Sequence, residues 1–241
     1  MAIAAEELKR LAIDAYGGQQ SQLRDTAVKQ LLRLAEAADD LGDLELISAF
    51  TDTVLGAQGE AGALAVEFID FIAGQPGVNP IDAAEYLGRA SRRGRLLETV
   101  YHRPAKTEAK ALAKGIDPAT ARQMALDELR RLGDTDVLVA GRKAENLAMT
   151  ENTNIGGFSR VPDPSACSFC WLIAERVYKS GELAPSHAFC KCSIDPITVD
   201  RVGWANRVGS VNLDYAGGVL SEGVVGPQGP RTRRAGEAPD E

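Results

Sequence analysis

The chain has 241 residues, 44% of them apolar, and its 27 basic and 34 acidic side chains give a formal net charge of -7. This length suffices for one large domain or two modest domains with a buried core. The longest stretches without a charged side chain have 11 residues, whereas a membrane-spanning helix needs about 20 apolar residues, so an integral membrane protein is excluded.

The N-terminal residues do not resemble a secretory signal. Residues 1–7 contain neither the basic region nor the apolar region that such a signal requires. We therefore expect synthesis in the cytoplasm, with no export machinery implied.

The chain up to about residue 150 is predicted to form a helical domain. Apolar residues recur at steps of three or four within residues 23–41 and again within residues 137–147, so each set lies on one stripe of a helix. Residues 64–72 are apolar almost all round and are predicted to form the central core helix of this domain.

Turn and capping residues divide the predicted helices. Asn79-Pro80 and Asp117-Pro118 predict two helix starts, because the first side chain can cap the helix and a proline at the first helical position loses no hydrogen bond. Breaks are predicted at Gly17-Gly18, Leu41 to Asp43, Gly59, Gly74 to Pro80, and Gly133. The expected helices have roughly 12 to 25 residues and short connecting loops.

Charge is distributed unevenly over this domain. Residues 1–85 carry 15 acidic and 5 basic side chains, whereas residues 89–114 carry 8 basic and 2 acidic ones. The basic segment is either a solvated helix face or a surface that contacts DNA or an acidic protein. The residues predicted for such a contact are Arg89, Arg92, Arg93, Arg95, Arg103 and Lys106.

The sequence changes character after Thr150. A hinge rich in Asn and Gly is followed by seven of the chain's 13 aromatic residues, and two extended segments flank a short helix. The predicted elements are a hinge at residues 152–157, a strand at 158–161, a helix at 169–177 and an extended segment at 192–199. Residues 151–216 are therefore predicted to form a small α+β module, and residues 217–241 a flexible tail.

All four cysteines lie within 26 residues of this module. A C-x-x-C pair is followed after 19 residues by C-x-C, with a histidine three positions before that second pair. This spacing predicts a tetrahedral zinc site, with Cys167, Cys170, His187, Cys190 and Cys192 as candidate ligands. The preferred set is Cys167, Cys170, His187 and Cys190, with Cys192 as a substitute or close neighbour. The rival set is all four cysteines, with His187 beside the ligands.

A closed zinc site with four protein ligands is structural and would stabilise a module too small to form a sufficient core. The expected fold is therefore mainly α, with a helical N-terminal domain, a small zinc-stapled α+β module and a flexible tail. Two other states of the cysteines stay open: disulfides, which a cytoplasmic location disfavours, and reduced thiols in the core.

A nucleophilic enzyme is the competing functional class. A cysteine or serine nucleophile needs a histidine within hydrogen-bonding distance, and the chain contains only His102 and His187. His102 is expected to be a surface or helix-end residue, and catalysis near His187 would require that residue to be free of metal. No Walker loop, G-x-G-x-x-G or H-E-x-x-H motif is present. No catalytic residue is therefore assigned.

The cysteine-containing segment resembles a known family pattern. It combines C-x-x-C, then Y-K-S after a short helix, then H-x-x-C-x-C, at Cys167, Cys170, Tyr178, Lys179, Ser180, His187, Cys190 and Cys192. Residues 140–200 are similar to the minor head proteins of tailed phages of actinobacteria, which are related to the Mu protein F-like head morphogenesis family. The segment from Ala174 to Tyr178 departs from that pattern, since relatives often have Ser-Arg-Gly before the tyrosine.

The resemblance implies a minor capsid or head-morphogenesis protein. Such a protein would be assembled in the host cytoplasm and located in the virion, inside the capsid near the portal. It would act by binding, during procapsid assembly or DNA packaging and ejection. The implied partners are the portal protein, capsid or scaffold proteins and packaged DNA, with no membrane involved. The alternative is a capsid maturation protease, a label that some relatives carry.

Overall fold

Helices dominate the fold, as the sequence predicts. The computed structural model describes residues 2–79, 95–166, 168–174, 176–181 and 189–199. The predicted tail and the predicted helix that starts at Pro80 lie outside these ranges. The expected mainly α fold with a small sheet is confirmed.

Three long helices form the framework of the described chain. The three long helices are α1 (Ala2–Glu36), α2 (Leu44–Ala73) and α5 (Pro118–Glu151). The shorter helices of the described chain are α3 (Leu97–Tyr101), α4 (Arg103–Leu112) and α6 (Ser168–Ala174). Helices α1, α2 and α5 pack against one another, and α4 packs along α5. The predicted core segment, residues 64–72, lies in α2 and buries Ala65, Val66, Phe68 and Ile69.

Two of the long helices begin at side-chain caps, one of which the sequence predicts. The carboxylate of Asp117 accepts a hydrogen bond from the Thr120 N–H at 3.0 Å, and proline occupies the first position of α5. Asp43 caps α2 in the same way, by accepting from the N–H three residues later at 2.9 Å. Helix α2 ends at Gly74, whose φ of 70° lies in the left-handed region that favours glycine.

The predicted helix breaks at three glycine positions are wrong. Helix α1 continues through Gly17-Gly18, α2 through Gly59 and α5 through Gly133. Two of these positions are sites of close packing. A Cβ built at Gly17 would lie 3.3 Å from the Cβ of Ser193, and one built at Gly133 would lie 2.5 Å from Cδ1 of Leu31. These glycines let neighbouring elements approach each other without interrupting the helix.

We expect alanine to have opposite effects at Gly133 and Gly59. In Gly133→Ala the new methyl group would overlap the buried Leu31, and overpacking costs about 1–3 kcal/mol, more than the roughly 1 kcal/mol gained in helix propensity. In Gly59→Ala no atom lies within 4 Å of the new Cβ, so only the gain remains. Urea unfolding should give a lower stability for the first variant and a higher one for the second. Equal increases would contradict the close packing of α1 and α5.

An antiparallel sheet follows α5. Within the described residues it has three strands, β1 (Ile155–Val161), β2 (Val177–Lys179) and β3 (Ser193–Thr198), in the order β2–β1–β3. Phe158 in the central strand faces Tyr178 on one side and Pro196 on the other. The predicted strand and the predicted extended segment are confirmed as β1 and β3, but β1 begins at Ile155, within the predicted hinge, because those residues pair with β3. The predicted short helix is α6, which ends earlier than expected because β2 begins at Val177.

The described residues form two main apolar clusters along the long helices. One cluster joins the end of α1, the first half of α2, α3 and the first half of α5, with Leu31, Phe50 and Leu129 fully buried. The other joins the first half of α1, the end of α2, the end of α5 and the sheet. In it Tyr16 stacks on Phe68 with the ring centroids 4.2 Å apart.

The sheet packs directly on the helices. Phe158 and Ile194 are fully buried in the same cluster as Ile13 and Tyr16 of α1. Lys9 of α1 adds polar contacts to β3, because its Nζ donates to a backbone carbonyl at 2.7 Å and pairs with a carboxylate oxygen at 2.5 Å. Helix α1 therefore contacts the module closely, and independent folding of residues 151–216 stays a prediction.

Candidate metal centre

Cysteine sulfurs meet beside the sheet. In the described part of the chain, the Sγ atoms of Cys170, Cys190 and Cys192 all lie within 4.8 Å of one another. The three residues are only 1%, 2% and 4% exposed. Leu138 of α5 and Ala166, in the connection before α6, pack against them.

Two separate segments deliver these cysteines. Cys170 lies in α6, within the connection from β1 to β2, and Cys190 and Cys192 lie immediately before β3. The register pairs Val161 at the end of β1 with Ser193 at the start of β3. The residues before β3 are therefore brought to the end of the sheet from which the α6 connection leaves.

The sulfur spacing fits a tetrahedral zinc ion. Zinc–thiolate bonds are about 2.3 Å long, so two of them at the tetrahedral angle separate the sulfurs by about 3.8 Å. The observed distance between Cys170 Sγ and Cys190 Sγ is 3.9 Å. The sulfurs of a disulfide are about 2.05 Å apart, so these two residues are not joined by one. Thiolate donors favour zinc or iron–sulfur chemistry over magnesium or calcium.

Without a metal the Cys170 thiol resists ionisation. The pKa of Cys170 is raised. The largest cause is the hydrogen bond of its thiol with Cys190, the next is that with Cys192, and burial comes third. Neighbouring thiolates in apolar surroundings would repel one another, so a bound cation is needed to keep all of them ionised. The site is thus suited to a metal ion and unsuited to an isolated reactive thiolate.

The structure locates part of the predicted ligand set. Cys192, predicted as a substitute or close neighbour, lies with Cys170 and Cys190. The other two candidates, Cys167 and His187, lie outside the described residues. The three described cysteines can fill three tetrahedral positions, and the fourth ligand stays a prediction.

A buried ion pair holds the loop that carries Cys190. Nη1 of Arg24, in α1, donates to the Cys190 carbonyl at 2.7 Å and lies 3.6 Å from Oδ1 of Asp134, in α5. The other carboxylate oxygen of Asp134 accepts from the Phe189 N–H at 3.0 Å. Arg24 is 4% exposed and Asp134 7%, so both charges rely on these contacts.

A second buried ion pair holds Cys192. Arg142 of α5 donates to the Cys192 carbonyl and, through Nη1, to both oxygens of Glu145 at 2.9 and 2.7 Å. Tyr16 of α1 donates its hydroxyl proton to Glu145 at 2.5 Å. Burial is the largest single influence and lowers the pKa of Arg142, but Glu145, Tyr16 and Cys190 together outweigh it, so the pKa is raised. The guanidinium therefore stays charged in the interior.

These buried charges were not predicted from the sequence. Asp134, Leu138, Arg142 and Glu145 follow one another at helical spacing in α5, so they share a stripe. Leu138 on this stripe packs against the cysteines. The signal available in the sequence is that charged residues share a helix face with a residue expected to be buried. Such charges need polar partners in the interior.

The burial of Tyr16 predicts a loss of stability at high pH. Burial, and then the charge of Glu145, raises the pKa of Tyr16 well above its usual value. The unfolded chain loses this proton near pH 10 whereas the folded chain keeps it, so the free energy of unfolding should fall as the pH rises above about 10. Urea unfolding from about pH 9 to about pH 11 should show a decline that Tyr16→Phe reduces by up to about 1.4 kcal/mol per pH unit. An equal decline in both proteins would contradict the buried hydroxyl.

The predicted basic contact surface is described only in part. Arg95 precedes α3, and Arg103 and Lys106 lie in α4, all three exposed. Nε of Arg103 lies 3.7 Å from the carboxylate of Glu128 in α5. The other predicted contact residues, Arg89, Arg92 and Arg93, lie outside the described ranges. Contact with DNA or an acidic partner stays a prediction.

His102 has the position expected of a helix-end residue. It lies between α3 and α4, and α3 contributes Leu97 and Val100 to the apolar cluster at the end of α1.

Among the helices that the structure describes, none is long and apolar enough to cross a membrane.

Comparison with known proteins assigns the chain to a family. The family model described as VG15 protein matches residues 7–205, a range that includes most of α1 and all the described cysteines. No curated protein and no solved structure matches the chain significantly. Because the family match covers well over half of the sequence, the chain belongs to the VG15 protein family, a phage virion-gene family.

Proposed function

We propose that the protein is a phage minor capsid or head-morphogenesis protein that acts by binding near the portal. Membership of a phage virion-gene family supports a virion-associated protein. The finer role is supported by the motif that the cysteine segment shares with Mu protein F-like minor head proteins. The observation that carries the proposal is the cluster of Cys170, Cys190 and Cys192, which that motif accounts for.

We propose that this cluster binds a structural zinc ion. Cys170, Cys190 and Cys192 would hold the ion, with Cys167 or His187 as the fourth ligand. When bound, zinc supplies a cross-link between α6 and the segment before β3, and it performs no reaction. Four protein ligands are typical of a structural zinc site, whereas a catalytic zinc site keeps an open position for water or substrate.

Binding accounts for the residues better than proteolysis. A maturation protease is the alternative function, and it needs a nucleophile with a base in hydrogen-bonding distance. The described cysteines are enclosed together, and the raised pKa of Cys170 disfavours a nucleophilic thiolate. A protease would therefore need a nucleophile other than these three cysteines.

We propose the portal protein and capsid or scaffold proteins as partners, with packaged DNA as a further contact. The exposed Arg95, Arg103 and Lys106 support an electrostatic contact with DNA or an acidic capsid lining. The acidic character of residues 1–85 supports docking to a basic partner surface.

Co-expression with the portal, scaffold and major capsid proteins tests the location and the activity together. We expect the protein to sediment with procapsids when the portal is present and to leave the capsid proteins untrimmed. Absence from procapsids would contradict the head-protein role. Trimming that disappears in His187→Ala, in protein that keeps its zinc, would establish the protease alternative instead.

The DNA contact needs its own measurement. Binding of duplex DNA should weaken as salt rises, because displaced counterions drive such binding. Arg103→Glu combined with Lys106→Glu should weaken it further. Binding that is absent, or that neither salt nor these substitutions change, would contradict the contact.

A further inference from the structure

Three backbone groups in the loop that carries Cys190 and Cys192 are held by buried charged side chains. The Phe189 N–H, the Cys190 carbonyl and the Cys192 carbonyl contact Asp134, Arg24 and Arg142 respectively. Asp134 and Arg142 belong to α5, and Arg24 belongs to α1. Helices α1 and α5 supply no candidate ligand themselves. Their side chains hold in place the segment that carries Cys190 and Cys192.

These contacts stabilise a backbone conformation that is unfavourable for the loop alone. Phe189 has a φ of 60°, in the left-handed region that residues with a side chain rarely adopt. Its N–H is anchored by Asp134 at 3.0 Å. This anchoring fixes the direction in which the chain enters Cys190.

Each arginine already has a carboxylate partner of its own. Arg24 pairs with Asp134, and Arg142 pairs with Glu145, so the two pairs are close to neutral. Their main contribution to an anionic zinc–thiolate complex is therefore to fix the backbone and only secondarily to supply positive charge. Partners beyond the ligands usually act in this way, by orienting the groups that bind the metal.

We propose that Arg24, Asp134 and Arg142 are positioning residues that couple zinc binding to the packing of the loop on α1 and α5. The proposal rests on the proposed zinc site and extends it from the cysteines to the long helices. Because the coupling is reciprocal, zinc also strengthens the attachment of the loop to α1.

Zinc affinity of the full chain tests the proposal. In competition with a chromophoric chelator, Arg24→Met and Arg142→Met should each bind zinc roughly 10- to 100-fold more weakly than the parent. Arg24→Lys, which keeps one cationic donor, should recover part of the loss. The cobalt-substituted variants should keep the absorption of a tetrahedral thiolate site, since their ligands are unchanged.

Arg122→Met is the matched control. Arg122 also donates to backbone carbonyls, those of Ala35 and Ala38 at the end of α1, but it lies outside the cysteine cluster. Its replacement should lower the melting temperature and leave zinc affinity unchanged.

The possible results separate the two proposals. A parent that binds no zinc would remove the metal site and the coupling with it. A parent that binds zinc with the same affinity as both methionine variants would overturn the coupling alone. Equal weakening in Arg122→Met would also overturn it, because the effect would then be one of general stability. If Arg142→Met does not fold, the two Arg24 variants decide the question.

Discussion

Replacing Cys190 with serine should abolish stoichiometric zinc binding and destabilise the protein. The substitution removes one of the three sulfurs that lie within 4.8 Å of one another, and structural zinc contributes on the order of 10 kcal/mol or more in small metal-bound modules. Losing even a third of this would lower the melting temperature by roughly 6 °C or more in a chain of this size. Elemental analysis and thermal unfolding of the parent and the variant, both purified under reducing conditions, provide the measurement.

Ser193→Ala is the control for this change, because Ser193 is the neighbouring buried residue and is not a candidate ligand. It should keep one zinc ion per chain. Full zinc content in Cys190→Ser would contradict the site, as would a chelator that removes zinc from the parent without lowering its melting temperature.

The same assay identifies the fourth ligand. Cys167→Ser and His187→Ala remove the two candidates in turn, and one of them should lose zinc as completely as Cys190→Ser. Loss in His187→Ala alone would indicate three thiolates and an imidazole. Loss in Cys167→Ser alone would indicate four thiolates with His187 beside them. Unchanged zinc content in both would show that the ion has a different fourth ligand.

Replacing Glu145 with leucine should cost about 3–5 kcal/mol of stability, because it leaves the Arg142 guanidinium buried without its carboxylate. Arg142 is 5% exposed and Glu145 2%, so water cannot replace the lost partner. The hydroxyl of Tyr16 also loses its acceptor. Urea unfolding of the zinc-loaded protein near neutral pH measures the loss.

The double variant Arg142→Met with Glu145→Leu is the internal control. A buried pair replaced by apolar residues of similar volume is often close to neutral in stability, so most of the loss should be recovered. Zinc affinity should nevertheless stay as low as in Arg142→Met, because the donor to the Cys192 carbonyl is missing. A loss below about 1 kcal/mol in Glu145→Leu would contradict the buried pair.

The sequence predicts the elements well where local chemistry decides them. The Asp117-Pro118 start, the break at Leu41 to Asp43 and the strand at residues 158–161 each depend on neighbours along the chain, and all are present. The breaks at Gly17-Gly18 and Gly133 are wrong because these glycines serve contacts with Ser193 and Leu31, which are remote in sequence.

The candidate site could be predicted only in part for the same reason. The close spacing of Cys170, Cys190 and Cys192 is a local pattern, and the structure brings their sulfurs together. The contacts of Arg24 and Arg142 are with backbone carbonyls 166 and 50 residues away. Every residue has a backbone carbonyl, so the residue types in the sequence do not show which carbonyl a distant arginine contacts.

X-ray absorption at the zinc edge of the purified protein tests the central claim most directly. The cysteine cluster predicts one zinc ion per chain with three or four sulfur neighbours at about 2.3 Å, completed by one nitrogen if only three are sulfur. A protein purified without zinc, or a zinc ion surrounded mainly by oxygen and nitrogen, would contradict the account.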